Sequence, residues 1–183
     1  GAFLSCRVDT SLTSSCDPAR PRQTAFASTA GGWARAEAFG TNIQPDMVVL
    51  ARWARSSDTL FDTLRGRGVV HAVRRFGSRW VAAGRGWTGW ATDSGEWHLT
   101  DMPSPGYQID LATDGNVLVL INDTAKIWRS TDGENWQAIR TGSLGSFHQV
   151  VHNGRFFAAV GDGGLLGWSR DGGDLRVAHF WAL

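Results

Sequence analysis

A pattern that recurs about every 38 residues constrains the fold of this chain more than any other feature. Each copy contains an apolar strand, a Gly-containing turn, a second apolar strand, a loop, and a Trp-containing third strand that runs into a polar turn. The copies occupy residues 69–105, 107–145 and 146–183, with Trp90, Trp128 and Trp168 on their third strands. A period of this length is typical of repeat architectures in which each copy is one supersecondary unit. Residues 68–183 are therefore predicted to form three clear repeats.

Turn residues and strand composition assign the repeats to the all-β class. The first turns contain Asp114-Gly115 in the second copy and Asn153-Gly154 in the third, and such pairs between apolar runs are a strong hairpin signal. Residues 117–121 form an unbroken apolar run of buried-strand length. The 23 glycines and 10 tryptophans, against one tyrosine, fit short aromatic strands joined by tight turns. Each copy is expected to be a four-stranded antiparallel unit.

The polar turn after each third strand contains an aspartate, and the cleanest copy is Ser-Thr-Asp-Gly-Glu-Asn-Trp at residues 130–136. This sequence resembles the Asp-box, or BNR, repeat of sialidase-like propellers and of the photosystem II stability and assembly factor family. The resemblance implies that the box is a folding element between the third and fourth strands of a blade. The carboxylate would accept backbone N–H groups, glycine would supply a positive φ, and the final Trp would pack beneath the sheet. The residues assigned this structural role are Asp93, Asp132, Asp171, Gly133, Gly172, Trp97 and Trp136.

The repeat degrades towards the N-terminus. Trp53 stands 37 residues before Trp90 and precedes Ser56-Ser57-Asp58, which resembles a box without its glycine. Residues 26–33 resemble a shorter copy that lacks the aspartate. Residues 1–67 are therefore predicted to hold two degenerate units. The whole chain, residues 1–183, is predicted to be a single domain, a β-propeller-like array of about five four-stranded antiparallel blades.

Charge and hydropathy exclude two classes of partner or location. With 18 basic and 17 acidic residues the chain has no long-range field that would draw it to nucleic acid. No run approaches the roughly 20 apolar residues of a membrane helix, so we expect no transmembrane segment. Peripheral membrane association could arise through a complex.

The two cysteines bear on location. Cys6 and Cys16 could close a small disulfide loop, and disulfides track oxidising compartments. The predicted location is therefore extracytoplasmic, either periplasmic or secreted.

The end of the array opposite the Asp boxes is the predicted binding face. In the propellers that the chain resembles, ligands meet the loops between second and third strands and the connections between blades. No motif has metal-ligand spacing, so we expect neither a metal nor a cofactor. The candidate binding residues are Arg85, Trp87, Asn122, Asp123 and Asp162 in the loops, with His71 and His148 at the starts of first strands.

Two classes of function remain open from the sequence. A sialidase-like glycoside hydrolase would need a Tyr nucleophile, an acidic partner and an arginine cluster, and the lone Tyr107 lies at the start of a first strand. A glycan-binding module would need exposed tryptophans, but most lie at repeat-fixed core positions. The favoured prediction is a non-catalytic binding or scaffold protein, an accessory or assembly subunit of an extracytoplasmic complex that binds a protein partner.

Overall fold

A computed structural model describes most of the chain after its first 21 residues. The described residues are 22–29, 32–40, 45–54, 59–65, 69–103, 106, 108–124, 126–139, 145–173 and 175–179.

The described residues form four separate four-stranded sheets. In each sheet every strand pairs antiparallel with the strand that follows it along the chain, as expected where two strands are joined by a tight turn. The first sheet contains β1 (Arg22–Thr29), β2 (Gly32–Gly40), β3 (Pro45–Ala54) and β4 (Thr59–Arg65); the second contains β5 (Val70–Phe76), β6 (Arg79–Gly84), β7 (Trp87–Thr92) and β8 (His98–Asp101); the third contains β9 (Gln108–Thr113), β10 (Leu118–Asn122), β11 (Ile127–Ser130) and β12 (Gln137–Ile139); the fourth contains β13 (Phe147–His152), β14 (Phe157–Gly161), β15 (Leu165–Ser169) and β16 (Arg176–His179). The predicted all-β array of four-stranded antiparallel units is confirmed.

The described residues contain four sheets, whereas about five units were expected over the whole chain. Residues 1–67 were predicted to hold two degenerate units, but the described strands between residues 22 and 65 form one sheet. Trp33 lies on β2, and its register partner on β3 is Trp53. Residues 26–29 and Trp33, which resembled part of a separate short unit, therefore belong to the same sheet as Trp53.

The sheets pack face to face in chain order, with their first strands adjacent. β1 lies against β5, β5 against β9, and β9 against β13. The apolar core fills the spaces between successive sheets, because alternate residues of a strand point to opposite faces. Leu118 and Leu120 pack towards the second sheet, whereas Val119 and Ile121 pack towards the fourth.

Burial on both faces explains the continuous apolar runs of the second strands. Every residue of β10 is buried, and Val81 and Ala82 of β6 are fully buried as well. β6 and β10 therefore behave like strands of a sheet that is covered on both sides, whereas β14 leaves Val160 exposed. Among the described residues no helix is long and apolar enough to cross a bilayer.

Candidate functional site

The up-and-down strand order separates two ends of the array. The turns between first and second strands and between third and fourth strands lie at one end, which we call the box end. The loops between second and third strands, at residues 84–86, 122–124 and 161–164, lie at the opposite end with the starts of the first strands. We call this second end the loop face.

At the box end, Asp132 organises the turn of the third sheet. Its Oδ1 accepts the backbone N–H groups of Glu134 at 2.9 Å and Asn135 at 2.8 Å, and also the Ser130 hydroxyl at 2.9 Å. Its Oδ2 accepts the Asn135 side-chain amide at 2.8 Å. Burial by itself would raise the pKa of Asp132, but these hydrogen bonds outweigh it and hold the pKa well below its usual range. The Asp132 carboxylate therefore stabilises the turn in its charged form.

The corresponding aspartates of the second and fourth sheets also form hydrogen bonds. Asp171 accepts the Gly173 N–H at 2.9 Å and the Ser169 hydroxyl at 3.0 Å, and the first of these bonds is the main cause of its lowered pKa. Asp93 differs, because it accepts the Trp80 indole N–H at 3.0 Å and pairs with Arg75. In the second sheet the carboxylate thus ties the turn to the first and second strands.

The glycines of the boxes sit between sheets as well as in turns. Gly133 has a φ of +79°, and a Cβ there would lie 2.8 Å from Val81 Cγ2 in the preceding sheet. Gly172 has a φ of +69°, and its Cβ would lie 2.7 Å from Val119 Cγ2. Trp97 and Trp136, at the ends of the boxes, are half-buried beside the intersheet cores. The glycines therefore serve both the turn and the packing of one sheet on the next.

On the loop face, His71, Ile109 and His148 occupy one repeated position. Each lies at the register shift of its first strand, next to the strand start. Such β-bulges re-aim a side chain and are frequent beside functional sites. His148 is exposed, and its Nε2 lies 2.6 Å from Asp162 Oδ1.

A second repeated position lies in the loops themselves. Arg85, Asp123 and Asp162 each follow the last residue of a second strand, and all three are exposed. Burial lowers the pKa of His71, and the negative charge of Asp123 in the next sheet opposes that shift. The structure thus places Asp123 close enough to His71 to act on it across a sheet boundary.

Two predicted binding residues are buried, which corrects their expected exposure. Trp87 is 1% exposed and belongs to the core between the first and second sheets. It opens β7 opposite Gly84, where a Cβ would lie 2.5 Å from the indole, so the glycine makes room for the ring.

Asn122 is also fully buried. Its Oδ1 accepts the N–H groups of Thr124 at 3.1 Å and Lys126 at 2.9 Å, so this side chain shapes the loop from inside. Neither Asn122 nor Trp87 presents a contact surface.

One polar network was not anticipated from the sequence. Arg74 on β5 donates to Asp110 Oδ1 on β9 at 3.0 Å, and Asp110 Oδ2 accepts the Val150 N–H on β13 at 3.1 Å. A single carboxylate therefore joins the first strands of three sheets. No local sequence pattern predicts this network, because Asp110 lies 36 residues after Arg74 and 40 residues before Val150.

Side chains that could ligate a metal ion do not converge in the part of the chain that is described. No group there of three or more His, Cys, Asp or Glu side chains is arranged to hold a metal ion. Cys6, Cys16 and Tyr107 lie outside the described residues.

Comparison with known proteins shows the fold as a β-propeller architecture. The chain is similar to Hsv2 of Kluyveromyces lactis, with a TM-score of 0.56 and 11% identity over 81% of this chain and 48% of that one. It is also similar to the WD40 β-propeller domain of Doa1, with a TM-score of 0.59 and 9% identity over 86% of this chain and 54% of that one. The chain thus spans about half the length of these solved structures. No family model and no curated protein matches the sequence.

Proposed function

We propose that this protein is a non-catalytic binding module that recognises a protein partner through its loop face. One observation carries the proposal: Arg85, Asp123 and Asp162 occupy one repeated, exposed position, each directly after the second strand of its sheet. Different charges at one position of a rigid repeat are what a recognition surface requires, because the scaffold stays constant while the contact chemistry varies.

The hydrogen bonds of the box carboxylates support a binding role over a hydrolytic one. A glycosidase needs carboxyl groups poised towards substrate. Asp132 and Asp171 are instead held in turns by hydrogen bonds at the box end. The burial of Trp87 also removes the indole that could have served as a sugar platform beside Arg85.

We further propose that the partner belongs to an extracytoplasmic complex in which this chain is an accessory or assembly subunit. The resemblance of residues 130–136 to Asp-box repeats supports this assignment, as do the two cysteines. A bridge between Cys6 and Cys16 in protein taken from its native compartment is the expected result. Mass spectrometry with and without reduction tests it, and free thiols in native protein contradict the proposed location.

Affinity capture with matched variants tests the binding role. The loop variant carries Arg85→Ser and Asp123→Ser, which together leave the net charge unchanged. The control carries Ser78→Arg and Asn116→Asp, also neutral overall, at exposed turns of the box end. Wild type and control should recover the same stoichiometric protein partner, whereas the loop variant should lose it while it keeps the circular dichroism spectrum of the wild type.

Other outcomes of the capture count against the proposal. If the loop variant recovers the partner as well as the wild type does, the binding surface is not the loop face. Hydrolysis of a fluorogenic sialoside by the wild type, and not by a heat-inactivated sample, would overturn the non-catalytic assignment.

A further inference from the structure

A histidine and an aspartate contact each other on the loop face of the fourth sheet. His148 Nε2 lies 2.6 Å from Asp162 Oδ1, and the two side chains are 55% and 62% exposed. Among the described residues, the Asp162 carboxylate has no other hydrogen-bond or ion-pair partner. The carboxylate that His148 contacts is thus also open to an approaching protein.

The backbone around this pair is fixed. The Asp162 N–H donates to the Ser146 carbonyl at 3.0 Å, and the Asp162 carbonyl accepts the Leu165 N–H. Gly161 permits this close approach, because a Cβ there would lie 2.1 Å from the Ser146 carbonyl oxygen. His148 lies at the register shift of β13, next to Ser146 along the strand. The contact between the two side chains can therefore open by side-chain rotation alone.

The pair differs from the carboxylates of the box end in the kind of group that it uses. Asp132 and Asp171 accept backbone N–H groups of their own turns, and such groups do not titrate near neutral pH. Asp162 is held by an imidazole instead. Histidine is the side chain whose charge ordinarily changes between pH 5 and 8. The charge around Asp162 therefore depends on pH in this range.

The third sheet, which packs against β13, contributes further charged groups. Asp123 follows β10, and its carbonyl accepts the Ser146 hydroxyl at 2.9 Å, so the loop of Asp123 adjoins that of Asp162. Lys126 is exposed at the end of the same loop, just before β11. Asp110 on β9 is already bound by the first strands on either side. The two adjoining loops thus carry two carboxylates and one ammonium group.

A second imidazole lies at the end of β16. His179 is exposed, and its Nδ1 lies 3.4 Å from the carbonyl oxygen of Gly163 in the turn that begins at Asp162. With both imidazoles neutral, one lysine against two aspartates gives these loops a net charge of −1. Protonation of His148 and His179 adds two charges and changes the sum to +1. The sign of the charge on this part of the loop face therefore reverses in mild acid.

We propose that Asp162 receives an Arg or Lys side chain of the protein partner and that protonation of His148 releases it. The inference rests on the proposed function, in which the loop face is the binding surface. A neutral imidazole leaves the charge of the carboxylate available to a guanidinium or ammonium group. An imidazolium neutralises that carboxylate and repels the partner's cation. The contact therefore weakens as the pH falls.

Charged nitroxides test the change of charge in the protein alone. A cationic and an anionic nitroxide, aminomethyl-PROXYL and carboxy-PROXYL, relax nearby protons in proportion to their local concentrations, so the ratio of the two effects reports the local potential. At the Cα protons of Gly163 and Gly164 the cation should have the larger effect at about pH 7.5. The ratio of cation to anion effect should fall by about threefold at about pH 5.5. An unchanged ratio overturns the proposal.

Matched variants assign the change of charge to one imidazole. His148→Gln keeps a hydrogen-bonding group but cannot take up a proton, so most of the pH dependence of the nitroxide ratio should disappear. The control His98→Gln removes an exposed imidazole at the box end, where it stacks on Trp90 with ring centroids 4.3 Å apart, and should keep the wild-type change. Asp162→Asn should lower the preference for the cation at about pH 7.5. If His148→Gln keeps the full change, the assignment to His148 is wrong.

The affinity for the captured partner tests the contact itself. For the wild type, the dissociation constant should rise about fivefold from about pH 7.5 to about pH 5.5, and this rise should be smaller for His148→Gln than for His98→Gln. Equal affinities at both pH values would overturn this inference and leave the binding role in place. Tighter binding in acid would also contradict it, because the partner would then offer acidic groups. Failure to recover any partner at either pH counts against the proposed function, and the nitroxide ratios do not depend on that result.

Discussion

Replacing the box glycine of the third sheet tests whether intersheet packing depends on it. In Gly133→Ala the added methyl would lie 2.8 Å from Val81 Cγ2, and Val81 is fully buried and cannot retreat. Holding a non-glycine residue at φ +79° costs about 1–2 kcal/mol, of which the stiffer unfolded chain returns about 0.4–1. Overpacking adds about 1–3 kcal/mol. We expect the free energy of unfolding to fall by about 3 kcal/mol.

The matched control is Gly86→Ala. Gly86 has a φ of +72°, close to that of Gly133, but nothing lies within 4 Å of its added methyl. Only the backbone cost applies, so the expected loss is about 1 kcal/mol. Urea unfolding of both variants measures the two losses of stability. Their difference, about 2 kcal/mol, is the cost of the contact with Val81.

A double variant sharpens this assignment. Val81→Ala removes the methyl that the new side chain would meet, so Gly133→Ala in that background should cost about 1 kcal/mol, as at Gly86. Equal losses for Gly133→Ala with and without Val81 would refute the reasoning. The glycine would then serve its own turn alone.

Three further predictions concern the polar groups. The pKa of Asp132 is lowered in the fold, so its stabilisation is present above the ordinary aspartate pKa and lost as the pH falls towards the folded-state value. Asp132→Asn should therefore lower the free energy of unfolding by about 1–3 kcal/mol at neutral pH, and the difference from wild type should shrink in acid. Asp110→Ala should cost about 2 kcal/mol in urea unfolding, more than Arg74→Ala, because it removes the acceptor of both Arg74 Nη2 and the Val150 N–H. NMR titration of His71 should give a pKa below 6.5, and Asp123→Asn should lower that pKa further because the opposing charge is lost; a rise would contradict the arrangement of the loop face.

The sign of the His71 effect on stability follows from its lowered pKa. The unfolded chain binds the proton more readily than the folded chain, so this group favours folding above its ordinary pKa. The contribution is lost as the pH falls through that value. His71→Gln should flatten this part of the pH dependence of unfolding.

Local chemistry explains why the three C-terminal units could be identified in the sequence. An Asp-Gly or Asn-Gly turn needs only its own residues to set a positive φ, and a strand buried on both faces must be apolar throughout. Gly115 and Gly154 indeed have φ values of +96° and +90°. The box of residues 130–136 likewise forms its hydrogen bonds within a few residues of Asp132.

The number of sheets could not be obtained in the same way. Trp53 fits the spacing of the third-strand tryptophans and residues 26–33 resemble a separate box, but Trp33 and Trp53 are register partners across one hairpin. Which strands pair depends on hydrogen bonds between segments and not on the spacing of one residue type.

The sequence by itself determined the all-β class, the turns and the box chemistry, because each depends on contacts between residues close along the chain. Only the tertiary structure decided which side chains reach solvent and which join sheets. Trp87 is buried because Gly84 opposite leaves space for its ring, and Asp110 gathers Arg74 and Val150 from the sheets on either side. The exposed Val160 has the same apolar character as the buried Ile121, and what separates them is the presence of a following sheet. Whether a residue is buried depends on which segments pack against it, and those segments are usually distant along the chain.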